Sequence, residues 1–459
     1  MRLENKIFDE LQLGDQAELR RLVTQDDLLV FAVASGNYNT MHLPGYDTDG
    51  DGKIDEVAPG MFTASLIAGV IGSLLPGPGT LYRYQTLSFL ERAHAGEELL
   101  ARVTVVHKDA GGLVTLRTEV IRLNDDAVIV SGEAQVTAPK RKFVAEDVHI
   151  PGLLVQRHRH FEALIAQATP LPALLTAVIC PYSSESLNGT LLAADGGIIT
   201  PILIGDPDRI DKAAAQIGRD LTGIEIIPAT SDTGAARIAC DLARDGRANA
   251  VMKGHLHTDD LLRAMVDRDS GLRAGRRFTH VFVMDVPGEA EPLLVTDAAI
   301  NIAPDLKTKV DITQNAIELA ASLGLEPRAG ILSAVETVNP DIQSSVDAAL
   351  LSKMAERGQI KGGAVDGPLA MDNAIDMGAA RIKGLTGDVA GRANILVVPG
   401  IDAGNMLAKQ LSYISHAEAA GLVLGARVPV ILNSRSDGAM SRLASCAVAA
   451  IHHFKQHPQ

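Results

Sequence analysis

The chain has 459 residues, too many for one ordinary core, so two or three domains are expected. A composition that is 46% hydrophobic and 21% charged excludes a disordered chain; with 3% aromatic residues and no Trp, the core must be aliphatic, which suits α/β packing. The formal net charge of -14 excludes a protein that holds a nucleic-acid backbone along an extended path, so any anionic ligand must meet a local cationic site.

The opening MRLENKIFDE is acidic and lacks the apolar stretch of a signal peptide. The longest apolar runs, such as 422–433, are broken before membrane-spanning length. Cys180, Cys240 and Cys446 are far apart and form no CxxC pair, so neither a disulfide framework nor a zinc site is expected. A soluble cytoplasmic protein is expected, with no nucleic-acid or membrane partner, no metal and no tightly bound cofactor.

The first 138 residues have their own pattern. MFTASLIAGVIGSLL (61–75) is apolar nearly all round, which predicts a buried helix. Strand-like runs follow at 81–90, 98–107, 113–123 and 127–136, and the turns AGG (110–112) and NDD (124–126) predict an antiparallel meander. One buried helix embraced by long antiparallel strands is the layout of a hot-dog α+β domain. The charged segment 139–152, bounded by Pro139 and Pro151, reads as a linker.

Beyond it the chain alternates strands and helices. Strands are predicted at 176–180, 201–205, 224–228, 249–254, 280–285, 328–335, 394–400 and 428–433, with helices at 233–246 and 402–415 among those between. Aliphatic strands alternating with helices predict a largely parallel sheet, in an α/β protein overall. Residues 153–459 would fill two lobes with a cleft between them.

The most informative segment is VPVILNSRSDGAMSRLASCAVAAI (428–451). A buried strand ends at Asn433, a short polar turn follows, and a helix begins near Gly438. Free backbone N–H groups at that helix start, together with Arg435, would bind a phosphate dianion, since a guanidinium grips two phosphate oxygens at once. Ser434 could donate to charge developing on an acyl oxygen or sulfur. Asp437 is either a base or the cap of the helix. Elsewhere, Asp366 and Asp372 serve a site or cap a turn, Lys253 could be solvent-exposed at its strand end, and His255 and His257 lack a third ligand at helical spacing.

Together with NSRSD, the segments VMKGHLHTDDLLRAM (251–265), DGPLAMDNAI (366–375) and VPGIDAGNMLAKQLSY (398–413) resemble the signature segments of the phosphate acetyl/butyryl transferase family. The resemblance covers residues 153–459. It implies a two-lobed α/β/α fold of isocitrate-dehydrogenase-like type, and exchange of an acetyl or short acyl group between coenzyme A and inorganic phosphate. Its substrates would be acyl-CoA, phosphate and acyl phosphate. Ser434 and Arg435 match the catalytic pair, and Arg263 stands where family members place a coenzyme-binding arginine. The acetyl-specific branch has an Asp seven residues after the Ser, implicated in thiol deprotonation; here that position is Ser441. The SRSD pattern resembles the butyryl branch more, which makes Asp437 the substitute base and leaves the acyl length open.

FAVASGNYNTMHLPG (31–45) resembles the MaoC-like hydratase motif, in which an Asp and a His five residues later activate water. APGMFTASL (58–66) and residues 75–99 extend the resemblance over residues 8–138. His42 matches, but Asn37 replaces the Asp, and an amide orients water without taking its proton. Two readings stand: a domain kept for dimerisation and acyl-CoA binding, or a hydratase with His42 as base and Asn37 as orienter. DTDGDGKIDEVA (47–58) imitates an EF-hand loop through Asp47, Asp49, Asp51, Gly52 and Asp55, but position twelve is Ala58, so it is a calcium turn or a solvated acidic loop.

The leading expectation is a fusion of these two coenzyme A-handling domains, forming a homodimer or a higher homo-oligomer. The competing readings are an oxidoreductase on the shared fold, weakened by the lack of a GxGxxG after the first strand, and a non-catalytic acyl-CoA-binding regulator or scaffold.

Overall fold

The computed structural model describes residues 2–48, 54–109, 111–146, 158–268, 271–434 and 437–457. Arg435, Asp49, Asp51, Gly52 and the second half of the expected linker lie outside them. The chain divides into two compact units, Met1–Val155 and Gln156–Gln459.

In the N-terminal unit, β1 (Gln16–Leu22) leads into α1 (Gln25–Ser35), and α2 (Gly60–Ser73) precedes β2 (Leu81–Gln85), β3 (Ser88–Phe89), β4 (Glu98–Lys108), β5 (Leu113–Arg122) and β6 (Ala127–Thr137). The sheet runs β1-β4-β5-β6-β2, with β3 also on β6, and every pairing is antiparallel. Helix α2 buries Phe62, Leu66, Ile67, Val70 and Ile71 against Leu99, Val103, Leu116 and Val120 of the sheet, which is the hot-dog arrangement. Each such aliphatic side chain contributes about 1.5–3 kcal/mol by leaving water. The run 81–90, expected as one strand, is broken into β2 and β3. There Thr86 O closes on β6 at Gly132, where a Cβ would stand 1.9 Å from that oxygen. Residues 139–145 are tied to the same unit: Val144–Ala145 pairs with Leu3–Glu4, and Asn5 Oδ1 accepts from Phe143 N at 2.9 Å.

The C-terminal unit is built on one eleven-stranded sheet. Its strands are β7 (Leu174–Ile179), β8 (Ile199–Gly205), β9 (Glu225–Pro228), β10 (Ala250–Lys253), β11 (Thr279–Asp285), β12 (Leu293–Thr296), β13 (Arg328–Leu332), β14 (Ala364–Leu369), β15 (Ile395–Val397), β16 (Glu418–Leu424) and β17 (Val430–Ile431). Their order is β9-β8-β7-β10-β17-β16-β11-β12-β15-β13-β14. Two parallel wings, β9 to β17 and β12 to β14, flank an antiparallel middle formed by β17, β16, β11 and β12. The expected parallel sheet is thus mixed, because β11–β12 and β16–β17 are joined by connections too short for a crossover helix.

Four helices position the site: α3 (Ser184–Asp195), α4 (Thr258–Val266), α5 (Ile401–Tyr413) and α6 (Ala439–Gln456). Helix α6 is the most deeply packed, with Ala444, Cys446, Ala447, Val448, Ala449, Ala450 and Ile451 in the core. Small side chains let it lie close to α3, where a Cβ at Gly189 would meet Arg442 Cβ at 2.6 Å.

Near the end of α6, His452 Nδ1 lies 3.0 Å from Ser322 Oγ, and burial pushes the imidazole pKa down from 6.5 to about 4. The native chain therefore refuses a proton that the unfolded chain accepts, so stability is full above pH 6.5 and falls as pH drops toward 4. His452→Gln should flatten that slope. Urea midpoints at about pH 7 and about pH 4.5 measure it, and equal losses in both proteins would reject His452 as the source.

Candidate active site

Strand β17 ends at Ile431 and α6 begins at Ala439, so the segment between them turns from the sheet's centre into a helix N-terminus. Gly438 caps α6 in extended conformation (φ -71°, ψ 175°) with no side chain accepting from the first turn. Among the described residues no cap side chain takes the first backbone N–H groups of α6, which suits them to a ligand or water.

The turn is clamped from both sides of Ser434. Asp437 Oδ2 accepts from Ser434 N at 2.7 Å and from Asn433 Nδ2 at 3.4 Å, while Arg442 Nη2 donates to Ser434 O at 2.9 Å. Burial pushes the Asp437 carboxyl above the usual carboxylate range, against the pull of those two donors and the Arg442 charge; the negative charge of Glu418 pushes the same way as burial. Arg442 is 2% exposed, and its Nε and Nη1 find no acceptor among the described residues. Burial pulls its pKa down, countered chiefly by Asp437.

This turn forms one wall of a cleft of 640 Å³. Ser434, Asp437 and Ser441 line it from the turn and α6, His257 and Thr258 from the start of α4, Asn405, Lys409 and Tyr413 from α5, and Glu418 from the start of β16. Lys253, at the end of β10, and Phe282 of β11 complete the floor. The Ser441 hydroxyl donates to Glu418 Oε2 in a short hydrogen bond.

Of the residues expected from sequence, the structure brings Ser434 and Asp437 together, while Arg435 lies outside the described residues. Arg263 is not among the residues lining the cleft: its side chain is 75% exposed on α4 and its Nη1 donates to Asp260 at 3.3 Å. Lys253 is not solvent-exposed as its strand end suggested; it is 4% exposed, because β10 lies inside the sheet between β7 and β17. Asp366 lies on β14, where it accepts from its neighbour Gly367 N at 2.8 Å. Asp372 is in the first turn of the short helix Met371–Ile375. Glu418 and Phe282 were missed because no motif marks them, and Lys409 was missed although it lies inside the quoted segment 398–413, because nothing local distinguishes it from a solvated helix lysine.

In the N-terminal unit, Thr24 caps α1 and Gly36 ends it in left-handed conformation (φ 72°). Asn37 follows, its Oδ1 accepting from Asn39 N at 3.3 Å. His42 Nδ1 lies 2.8 Å from Val57 O. A carbonyl can only accept, so Nδ1 carries a proton, and in the neutral ring Nε2 is the nitrogen with the lone pair. Of the EF-hand-like loop, Asp55 Oδ2 accepts from Thr48 N at 2.8 Å, and no cluster of metal-type ligands occurs among the described residues.

Residues 231–450 match the family described as phosphate acetyl/butaryl transferase. A phosphate acetyltransferase from Rhizobium meliloti is 54% identical over 293 residues, which are 64% of this chain and 93% of that protein. This chain belongs to the phosphate acetyl/butyryl transferase family. A phosphate butyryltransferase from Clostridium beijerinckii is 40% identical over 64% of this chain and 97% of its own length. The crystal structure of a branched-chain phosphotransacylase from Enterococcus faecalis V583 matches with a TM-score of 0.54 and 31% identity, over 61% of this chain and 99% of that one.

Arg442 is charge-paired with Asp437, and taking away one partner of a buried pair leaves the other uncompensated, which is strongly destabilising. Arg442→Met should therefore lower the melting temperature, and lower the acyl-transfer rate at least about tenfold, because Ser434 O loses its donor and the turn its position. A variant with wild-type melting temperature and wild-type rate would reject that role for Arg442.

Proposed function

We propose that residues 153–459 exchange an acetyl or short acyl group between coenzyme A and inorganic phosphate, in an isocitrate-dehydrogenase-like α/β/α architecture. The observation that carries this reading is the cleft itself: Ser434, the open N-terminus of α6 and buried Lys253 converge on one cavity, within the segment that matches the family. Phosphate binds at the N–H groups of α6 and Lys253, with Arg435 as the further cation that the sequence supplies, so a dianion is neutralised before it attacks. In the acyl-phosphate-forming direction a phosphate oxygen adds to the thioester carbonyl, the tetrahedral oxyanion is stabilised by the Ser434 hydroxyl, and the C–S bond breaks to release the coenzyme A thiolate. Coenzyme A is a substrate rather than a resident cofactor, and Arg263, exposed on α4, is assigned to its phosphates. The 54% identity to a protein named phosphate acetyltransferase supports acetyl over butyryl as the preferred group.

Residues 8–138 are proposed as a MaoC-like domain that binds enoyl- or acyl-CoA, with 139–152 as its exit segment. Support comes from the hot-dog layout and from the His42 tautomer, whose Nε2 is the basic nitrogen. Asn37 is the orienter and cannot share the proton. Fusion of the two has a chemical logic, since both would handle coenzyme A thioesters with the same adenosine-phosphate handle, and a cytoplasmic homodimer or higher homo-oligomer is proposed for the whole.

Purified protein supplied with phosphate and acetyl-, propionyl- or butyryl-CoA should release free coenzyme A only when phosphate is present, fastest with acetyl-CoA. Ser434→Ala and Arg435→Ala should each lower that rate by about 10²–10³-fold, equivalent to about 2.7–4 kcal/mol of transition-state stabilisation. No release with any chain length, from a protein that still binds coenzyme A, would replace this reading by the scaffold.

Asn37→Asp should raise hydration of a short enoyl-CoA, followed as loss of the conjugated thioester absorbance. A folded variant with no gain would mean that the pocket lacks more than a carboxylate.

A further inference from the structure

Thiol attack on an acyl phosphate needs a proton acceptor in the cleft, since a free thiol of pKa about 8.5 is only a few per cent thiolate at neutral pH. Among the described residues, two carboxylates line the cleft, Asp437 and Glu418. Asp437 Oδ2 accepts from Ser434 N and Asn433 Nδ2, so a proton taken by this carboxyl would loosen the bonds that fix the turn. Glu418 is placed differently. It begins β16, partly buried, beside the antiparallel partner β17 that leads into the turn. Ser441 Oγ holds its Oε2, and Oε1 has no partner among the described residues. Ser441 is itself 4% exposed and fixed one turn into α6, where its carbonyl accepts from Ser445 Oγ at 2.7 Å, so the carboxylate is aimed by a rigid group.

We propose that Glu418, aimed by Ser441, is the general base that takes the coenzyme A thiol proton. The inference rests on the acyl-transfer reading above and deepens it. In the direction of acyl-CoA formation, Glu418 Oε1 removes the S–H proton and the sulfur lone pair attacks the acyl-phosphate carbonyl carbon. The tetrahedral intermediate collapses with cleavage of the C–O bond to phosphate, which leaves with that electron pair. In reverse, the departing thiolate recovers its proton from the Glu418 carboxyl. No oxidant, metal or further reactant is needed. Ser441 does not touch the reacting atoms; it is a positioning residue.

The other titratable groups facing Glu418 across the cleft are Lys253 of β10, His257 at the start of α4, Lys409 and Tyr413 of α5, and Asp437 of the turn. The test must separate Glu418 from these. With acetyl phosphate and coenzyme A, the wild-type rate should rise along an acidic limb as the base loses its proton. Glu418→Gln should lower kcat by about 10²–10³-fold and abolish that limb, with KM for acetyl phosphate within about twofold of wild type. His257→Gln should keep the limb. The double variant Glu418→Gln/Ser441→Asp puts a carboxylate back from the other side of the same hydrogen bond, and should recover at least about tenfold over the single variant. A Glu418→Gln enzyme within about threefold of wild type and with the same pH profile overturns the inference. Should circular dichroism find that variant unfolded, Ser441→Ala decides: the inference requires its kcat to fall about tenfold, and an unchanged rate and profile overturn it. A wild-type protein that releases no coenzyme A sinks the acyl-transfer reading itself, whereas an active wild type matched by Glu418→Gln sinks only the base.

Discussion

The site depends on how one peptide unit is held. Ser434 has its N–H fixed by Asp437 and its carbonyl fixed by Arg442, so the nucleophile-facing turn is clamped from both ends. Both clamps sit in the partly or fully buried layer under α6, where each charge is expensive unless the other is present. Their mutual attraction offsets part of that expense: Arg442 resists the upward push on Asp437, and Asp437 resists the downward push on Arg442. Neither group is arranged for maximal stability, since two guanidinium nitrogens find no acceptor among the described residues. That cost is tolerated because α6 is otherwise packed with small apolar residues against α3 and the sheet.

The antiparallel middle of the sheet explains why residues far apart in sequence share this cleft. A parallel wing presents the carboxyl ends of its strands on one side, and β10 delivers Lys253 there. Strand β16 runs opposite to its neighbours β11 and β17, so its beginning, Glu418, arrives at the same edge as their ends. An all-parallel sheet would have placed that residue at the far edge. The reversal therefore brings a carboxylate to a rim otherwise supplied with a lysine and helix N-termini.

Much of this was legible in the sequence and some was not, for physical reasons. The turn 433–438 was readable only in company: Ser and Asp before a helix also serve as caps, and it was the neighbouring segments that fixed the family. Buried helix α2 was readable from its continuous apolar surface. Strand β1 was missed because QAELRRL lies at an edge and alternates with charges, leaving little hydrophobic signal. Strands β12 and β16 were missed because short apolar runs joined by hairpins carry no periodicity that tells them from loops or helix ends. The exposure of Lys253 was misjudged for a related reason: a charge at a strand end is solvated in an edge strand and buried in an inner one, and strand order is not written locally. Glu418 was invisible because its significance arises from a hydrogen bond to a residue 23 positions away.

The overall charge makes the same point about locality. At -14 the chain as a whole repels phosphate and coenzyme A, both polyanions. At physiological salt that repulsion is screened beyond about 8 Å, so what a substrate feels near the cleft is set by the nearest groups. Those include Lys253, Lys409 and the N–H groups at the start of α6, with Glu418 and Asp437 set among them. An acidic surface with a small cationic interior favours neither partner at a distance and both at contact. It also suits a reaction that runs either way, because acyl phosphate and phosphate leave a site that binds them strongly only within a Debye length. The two carboxylates then cost binding energy that a pure anion-binding site would keep. Their presence in the cleft is better explained by a need to move a proton than by a need to hold phosphate.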